Sequence, residues 1–288
     1  MHFYNPFPTK ASAAFAALPA RHVILIFVVS VVVGYLLASS IWPEALTPDA
    51  APLEDAAAWS LLYGLLALLL WLAGIRKGVP RLASFGAWPG RRQALIYALL
   101  AVPLIGVSEF FVYLVFLPLT YVDPEFVTEW VLDQSTLIWP RSEPGGLAAS
   151  VVNVALTVVI APIVEETIFR GFLLNRWWWY YGMWRGAVFS SVLFALLHMD
   201  FAGAFVFGMV LSLIYVKTKS LIGPIIVHVS NNGLLVLLLL AEALFLGGIE
   251  PQTLEQFRAY WWLGLLGGAI GVPWLLWFAK RLLRPGPV

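Results

Sequence analysis

Residues 147–175 read LAASVVNVALTVVIAPIVEETIFRGFLLN, an apolar stretch that carries two adjacent acids, Glu165 and Glu166, and a base, Arg170. About 20 apolar residues suffice for a membrane-crossing helix, and this run exceeds that. A carboxylate near the centre of such a helix costs at least about 2.5–3.5 kcal/mol on insertion scales. Two side by side are tolerable only where other helices enclose them, since lipid offers no hydrogen bonds. The stretch therefore predicts a polytopic helical membrane protein with a polar interior, and the rest of the chain should supply the enclosing helices.

It does. Further apolar runs cover 22–42, 56–75, 93–118, 186–199, 201–216, 221–246 and 259–279. With 147–175 they predict an all-α fold of about eight transmembrane helices, a single integral membrane domain over 1–288. The runs 186–199 and 201–216 are short for full spans and read as a tight hairpin broken near Asp200 and Gly203. Residues 119–146 form the longest polar connector. The first apolar run is about 20 residues, longer than the 7–15 of a signal-peptide core, so it reads as a retained span.

Of the 288 residues, 61% are hydrophobic and 11% charged, with a mean hydropathy of +0.87. Soluble domains carry about 25% charged residues. That excludes a soluble enzyme, a disordered chain and a basic-faced nucleic-acid binder. With no cysteine, disulfides, thiolate metal sites and cysteine nucleophiles are also excluded.

The net charge of +1 is a cancellation. Placing the N-terminus in the cytoplasm puts Lys10, Arg21, Arg76, Lys77, Arg81, Arg91, Arg92, Arg170, Arg176, Arg185, Lys217, Lys219, Lys280, Arg281 and Arg284 on the inner side. Only Arg141 and Arg258 then fall outside. The acids fall on the outer side instead: Glu44, Asp49, Glu54, Asp55, Asp123, Glu125, Glu129, Asp133, Glu143, Glu250 and Glu255, with Glu109, Asp200 and Glu242 at outer span ends. This positive-inside pattern predicts both termini in the cytoplasm. The run Trp177–Tyr181 then falls at the inner interface as an aromatic anchor.

Glu165 and Glu166 do not sort. Two histidines, His198 and His228, also lie in apolar runs. At 1.5 Å rise per residue, Glu165 is roughly 16 Å from Arg176, His198 roughly 20 Å from Arg185 and His228 roughly 14 Å from Lys219. Three segments thus bring polar groups to a similar depth. Glu166 and Arg170, four apart, share a helix face and can pair. Glu165 points about 100° away and is left to face a cavity. His228 and Asn232 also share a face, and Phe194, four before His198, is placed to pack under its ring. Asn153 reads as helix-to-helix glue, and Asp200 as the end of the short helix.

An acid, a base and two donors without a side-chain nucleophile suit hydrolysis of an amide by activated water. A carboxylate and an imidazole can polarise water and move its proton, and a donor pair can hold the developing oxyanion.

These residues resemble a known pattern. Glu165-Glu166-Thr-Ile-Phe-Arg170 looks like the EExxxR motif of the CPBP intramembrane proteases, the family of type II CAAX prenyl endopeptidases and bacteriocin-processing and immunity proteins. Phe194-Ala-Leu-Leu-His198 looks like its FxxxH motif and His228-Val-Ser-Asn-Asn232 like its HxxxN motif. The resemblance covers 147–246, which it marks as the catalytic core. It implies an eight-span helical fold in which Glu165 and His198 activate water and His228 and Asn232 stabilise the oxyanion. Glu166, Arg170 and Phe194 would support the site.

The expected activity is endopeptidase cleavage of a membrane-embedded or lipid-modified, for example prenylated, protein or peptide in a bacterial plasma membrane. No cofactor is favoured. Were a metal used, Glu165, His198 and His228 could ligate zinc, although the HExxH spacing of many metalloproteases is absent. The competing readings are a proton-coupled transporter, against which no internal repeat is visible, and a non-catalytic immunity or scaffold protein.

Overall fold

A bilayer core has no water to satisfy backbone N–H and C=O groups, so apolar runs of this length must close their own hydrogen bonds as helices. A computed structural model describes residues 10–47, 50–79, 85–132, 137–140, 142–246 and 252–283. Asp49, Arg81, Asp133, Arg141, Glu250 and Arg284, used in the charge assignment, lie outside the described residues.

The helices are α1 (Ala20–Ile41), α2 (Pro52–Arg76), α3 (Arg91–Val122), α4 (Gly146–Tyr181), α5 (Met183–Ala195), α6 (Phe201–Thr218), α7 (Ile222–Leu246) and α8 (Trp261–Leu283). Among the described residues seven are long and apolar enough to cross a membrane, and the chain is a multi-pass membrane protein. The exception is α5. Its 13 residues rise about 20 Å, short of the hydrocarbon core of about 30 Å. The chain breaks at 196–200 and returns as α6, so the hairpin is present with one short arm. Helix α3 is interrupted at Leu100, three residues before Pro103, which cannot donate back to the preceding turn.

The chain forms two compact units, Met1–Ala87 with Ser135–Gly186, and Trp88–Gln134 with Ala187–Val288. The motif-bearing segment 147–246 contributes to both.

In the first unit α1 lies on α2 at Gly34, where a Cβ would stand 2.5 Å from the Leu62 side chain. Farther along, α2 meets α4 through two buried polar groups: the Asn153 amide donates to Asp55 at 3.3 Å. Asn153 is the glue expected of it. Its partner Asp55, expected in an outer segment, is buried in the first turn of α2. At the far end of α4, Trp179, Tyr180 and Tyr181 are exposed, as an interfacial anchor requires. Arg176 donates to the Tyr180 hydroxyl and to the Ala16 carbonyl.

In the second unit α8 presents Gly264, Gly267, Gly268 and Gly271 to α3. A Cβ on Gly267 would meet the Gly106 carbonyl oxygen at 2.5 Å, and one on Gly271 the Pro103 carbonyl oxygen at 2.5 Å. In lipid the hydrophobic effect does not drive helix association, so close backbone packing by small residues takes its place. Near the connector, Tyr113 of α3 stacks on Phe257 with ring centroids 4.6 Å apart.

Gly267→Ala puts a methyl against backbone that cannot move aside, which costs roughly 1–3 kcal/mol. Gly64, in α2, has open space at its Cβ position. Thermal melts of the purified protein should show a lowered midpoint for Gly267→Ala and an unchanged or raised one for Gly64→Ala.

Candidate active site

The acid pair sits where α4 departs from regular α-helix. Residues Leu156–Ile160 and Thr167–Leu173 wind as wider π-helical turns around the segment Ala161–Glu166. Pro162 supplies the reason for the first. It has no N–H, and its ring clashes with the carbonyl one turn back, so the preceding turn opens. Widened turns leave carbonyls off the regular ladder. At the second, Asn175 covers them: its amide donates to the carbonyls of Arg170 at 3.0 Å and Gly171 at 2.6 Å.

Glu166 and Arg170 form the ion pair predicted from their spacing. Arg170 donates to Glu166 Oε1 at 2.8 Å, and both side chains have 0% exposure. Glu165, on the neighbouring face, is half-buried and accepts at 3.5 Å from the phenol of Tyr63 on α2. The sequence reading missed Tyr63. Its only signal was a lone phenol in the apolar run 56–75. Gly171 admits Phe15 against the same turn, since a Cβ there would lie 3.1 Å from the ring.

The histidine motifs assemble in the second unit around one ring, that of Phe194, which is 1% exposed. Phe194 stacks on His198 at 4.3 Å and meets His228 edge-on at 5.9 Å. Phe207 of α6 meets the other side of His228 at 5.0 Å. The structure thus brings both imidazoles to a common aromatic support. Asn232 lies one turn after His228 on α7, half-buried, and accepts from Asn231 at 3.4 Å.

His198 differs from expectation in one respect: it lies past the end of α5, in the turn before α6. The backbone there tightens, with Leu197 N–H donating to Phe194 O and His198 N–H to Ala195 O. The His198 Nδ1 contacts the Phe194 carbonyl at 2.8 Å. A carbonyl only accepts, so Nδ1 is the donor in this contact and Nε2 is the ring's other nitrogen, left for further chemistry.

Asp200 ends this turn by capping α6, accepting from Gly203 N–H at 3.0 Å. It also accepts a very short bond from the Ser108 hydroxyl. A Cβ at residue 203 would collide with the Asp200 carboxylate and with the Ser108 backbone, so only glycine fits. Burial pushes the Asp200 carboxyl above the usual carboxylate range, against the lowering effect of Ser108, Gly203 and His198. Sequence reasoning found the helix end but not the Ser108 latch.

The fold and these clusters define a class: a polytopic helical membrane protein with an acid pair on one helix and a supported histidine pair on others. Residues 147–234, which contain all three motifs, match the family model of Rce1-like type II CAAX prenyl endopeptidases. Over 99 residues the chain is 32% identical to an uncharacterised 24.3 kDa protein of Escherichia coli, covering 30% of this chain and 45% of that one. Over 110 residues it is 38% identical to the membrane-embedded CAAX protease MroQ of Staphylococcus aureus (strain USA300), covering 34% of this chain and 40% of that one. The chain therefore spans under half the length of these relatives. No solved structure matches it significantly. The match and the three motifs together support the CPBP family for this segment.

Because the Glu166–Arg170 pair is wholly buried, removing one partner strands the other. Arg170→Met should cost about 3–5 kcal/mol, while the paired replacement Glu166→Gln with Arg170→Met should recover most of it. Thermal midpoints of the three proteins check this.

Proposed function

We propose that this chain is an intramembrane endopeptidase that cleaves a membrane-embedded or lipid-modified protein or peptide, in a bacterial plasma membrane with both termini cytoplasmic. The observation that carries the reading is the family match over 147–234, which contains Glu165, His198, His228 and Asn232 in the family's order. The separation of roles on α4 supports it. Glu166 is committed to Arg170 in the buried ion pair, while Glu165, on the neighbouring face, accepts from the Tyr63 phenol.

In this mechanism Glu165 and His198 Nε2 hold a water and take its proton as its oxygen bonds to the peptide carbonyl carbon. The carbonyl electrons move onto oxygen, and His228 and Asn232 stabilise that oxyanion by hydrogen bonds. The intermediate collapses as the C–N bond breaks, and the captured proton passes to the leaving amine. Phe194 keeps the His198 ring oriented, and its carbonyl fixes the tautomer.

Were a metal ion used instead, Glu165, His198 and His228 would be its ligands. No step here is routed through one. The proposed mechanism is metal-free.

Purified protein incubated with bacterial membranes should generate new protein termini. Glu165→Ala should lower that rate by roughly 10²–10⁴-fold, the usual worth of a general base. Equal cleavage by both proteins would sink the assignment. Protein stripped by chelation and verified metal-free should retain its rate, and a loss restored by added zinc would replace this mechanism with a metal-assisted one.

A further inference from the structure

Between α2 and α4, within the first unit, lies a half-open cavity of about 210 Å³ that the proposed mechanism does not use. Its lining includes Asp55, Trp59 and Tyr63 of α2, and Asn153, Leu156 and Thr157 of α4. The widened turn Leu156–Ile160 forms part of its wall, so the space follows from the departure of α4 from regular helix.

The lining carries a carboxylate and an amide oxygen beside aromatic side chains and a hydroxyl, with no basic residue. Asp55 and Asn153 are each 6% exposed. The Asn153 amide is spent on Asp55, which leaves its Oδ1, a buried acceptor with no hydrogen-bond partner among the described residues. Asp55 is hydrogen-bonded to Asn153 and to the Trp59 indole, neither of them a base. A carboxylate and an amide oxygen therefore meet in a space walled by an indole and a phenol ring. Acceptors flanked by aromatic faces are what an ammonium or guanidinium group requires, through charge-assisted hydrogen bonds and attraction to the ring faces. A simple interhelical bond between Asp55 and Asn153 accounts for neither the cavity nor the leftover acceptor. At roughly 30 Å³ per water, the volume matches about seven waters and admits an unbranched aminoalkyl chain.

Position ties the cavity to the chemistry. Tyr63 lines it and donates to Glu165, so a group seated there lies one side chain away from the proposed water-activating acid.

We infer that the α2–α4 cavity is a specificity pocket for a cationic side chain of the substrate, a lysine or arginine close to the cleaved bond. Asp55 is its counter-charge, Asn153 Oδ1 a second acceptor, and Trp59 and Tyr63 its aromatic walls. The identity of the cation as part of a substrate rests on the endopeptidase reading. The presence of a cation site does not.

Two measurements separate these. The first is binding of n-butylammonium, with uncharged 1-butanol as control, to the purified full chain by ligand-observed NMR. Wild type and Glu165→Ala should both bind the ammonium and not the alcohol. Asp55→Asn should weaken binding at least tenfold, and Trp59→Leu, which removes both the aromatic wall and the indole bond to Asp55, should weaken it as well. Absence of ammonium binding to wild type, or equal binding of the alcohol, overturns the site.

The second is sequencing of the termini generated in bacterial membranes by wild type but not by Glu165→Ala. Lysine or arginine should be concentrated within three residues of the new ends. Glu165-dependent termini without that enrichment would overturn the specificity pocket while the protease reading stands. With no Glu165-dependent termini at all, the protease reading falls and the substrate role with it.

Discussion

Everything in this molecule answers to the cost of a polar group in lipid, and the Glu166–Arg170 pair is where that cost is met most fully. Both side chains are fully removed from solvent, so a partner lost there leaves a buried charge unpaired. Charge is tolerated there because it is neutralised within one helical turn, by residues four apart. The pairing fixes the face that Glu166 presents, and so turns Glu165 toward a different environment. A single adjacent pair of acids thereby divides between a buried ion pair and the face that meets Tyr63.

The same constraint explains why α4 is irregular. Pro162 forces a wide turn ahead of the acids, and Asn175 covers the carbonyls released by the wide turn behind them. In water, solvent would satisfy such departures. In lipid each needs a side chain of its own, and the residue meeting that need lies close to the acid pair in sequence. The Ser108–Asp200 latch follows the same logic at the hairpin turn. It closes the break between α5 and α6 that places His198 past a helix end.

Much of this was legible in the sequence because membrane segments are long, apolar and repetitive, so interruptions stand out. The spans, the hairpin near Asp200, the Glu166–Arg170 pair, the Phe194–His198 stack and the glue role of Asn153 all follow from spacing or helical geometry. Three things did not. Spacing counts residues per turn, and neither π-helical stretch changes the composition that a periodicity argument reads. Tyr63 lies 102 positions from Glu165, and no local pattern links them. Asp55 was counted with the acids of an outer segment, and no local pattern pairs it with Asn153, 98 positions away. The short α5 shows the reverse limit. Its run of 186–199 looked continuous, but the last residues, Leu196 to Met199, form the turn that carries His198.

The division of labour between adjacent acids is the claim on which the rest depends, and one comparison tests it most directly: the cleavage rate, per folded molecule, of Glu165→Gln against that of the double variant Glu166→Gln with Arg170→Met. The account predicts that Glu165→Gln folds normally and loses roughly 10²–10⁴ of the rate, the worth of a general base. The double variant should keep its rate within about tenfold, since an uncharged pair of similar size preserves the helix. A Glu165→Gln protein that cleaves normally beside an inactive but folded double variant would contradict it, and would move the chemistry onto Glu166.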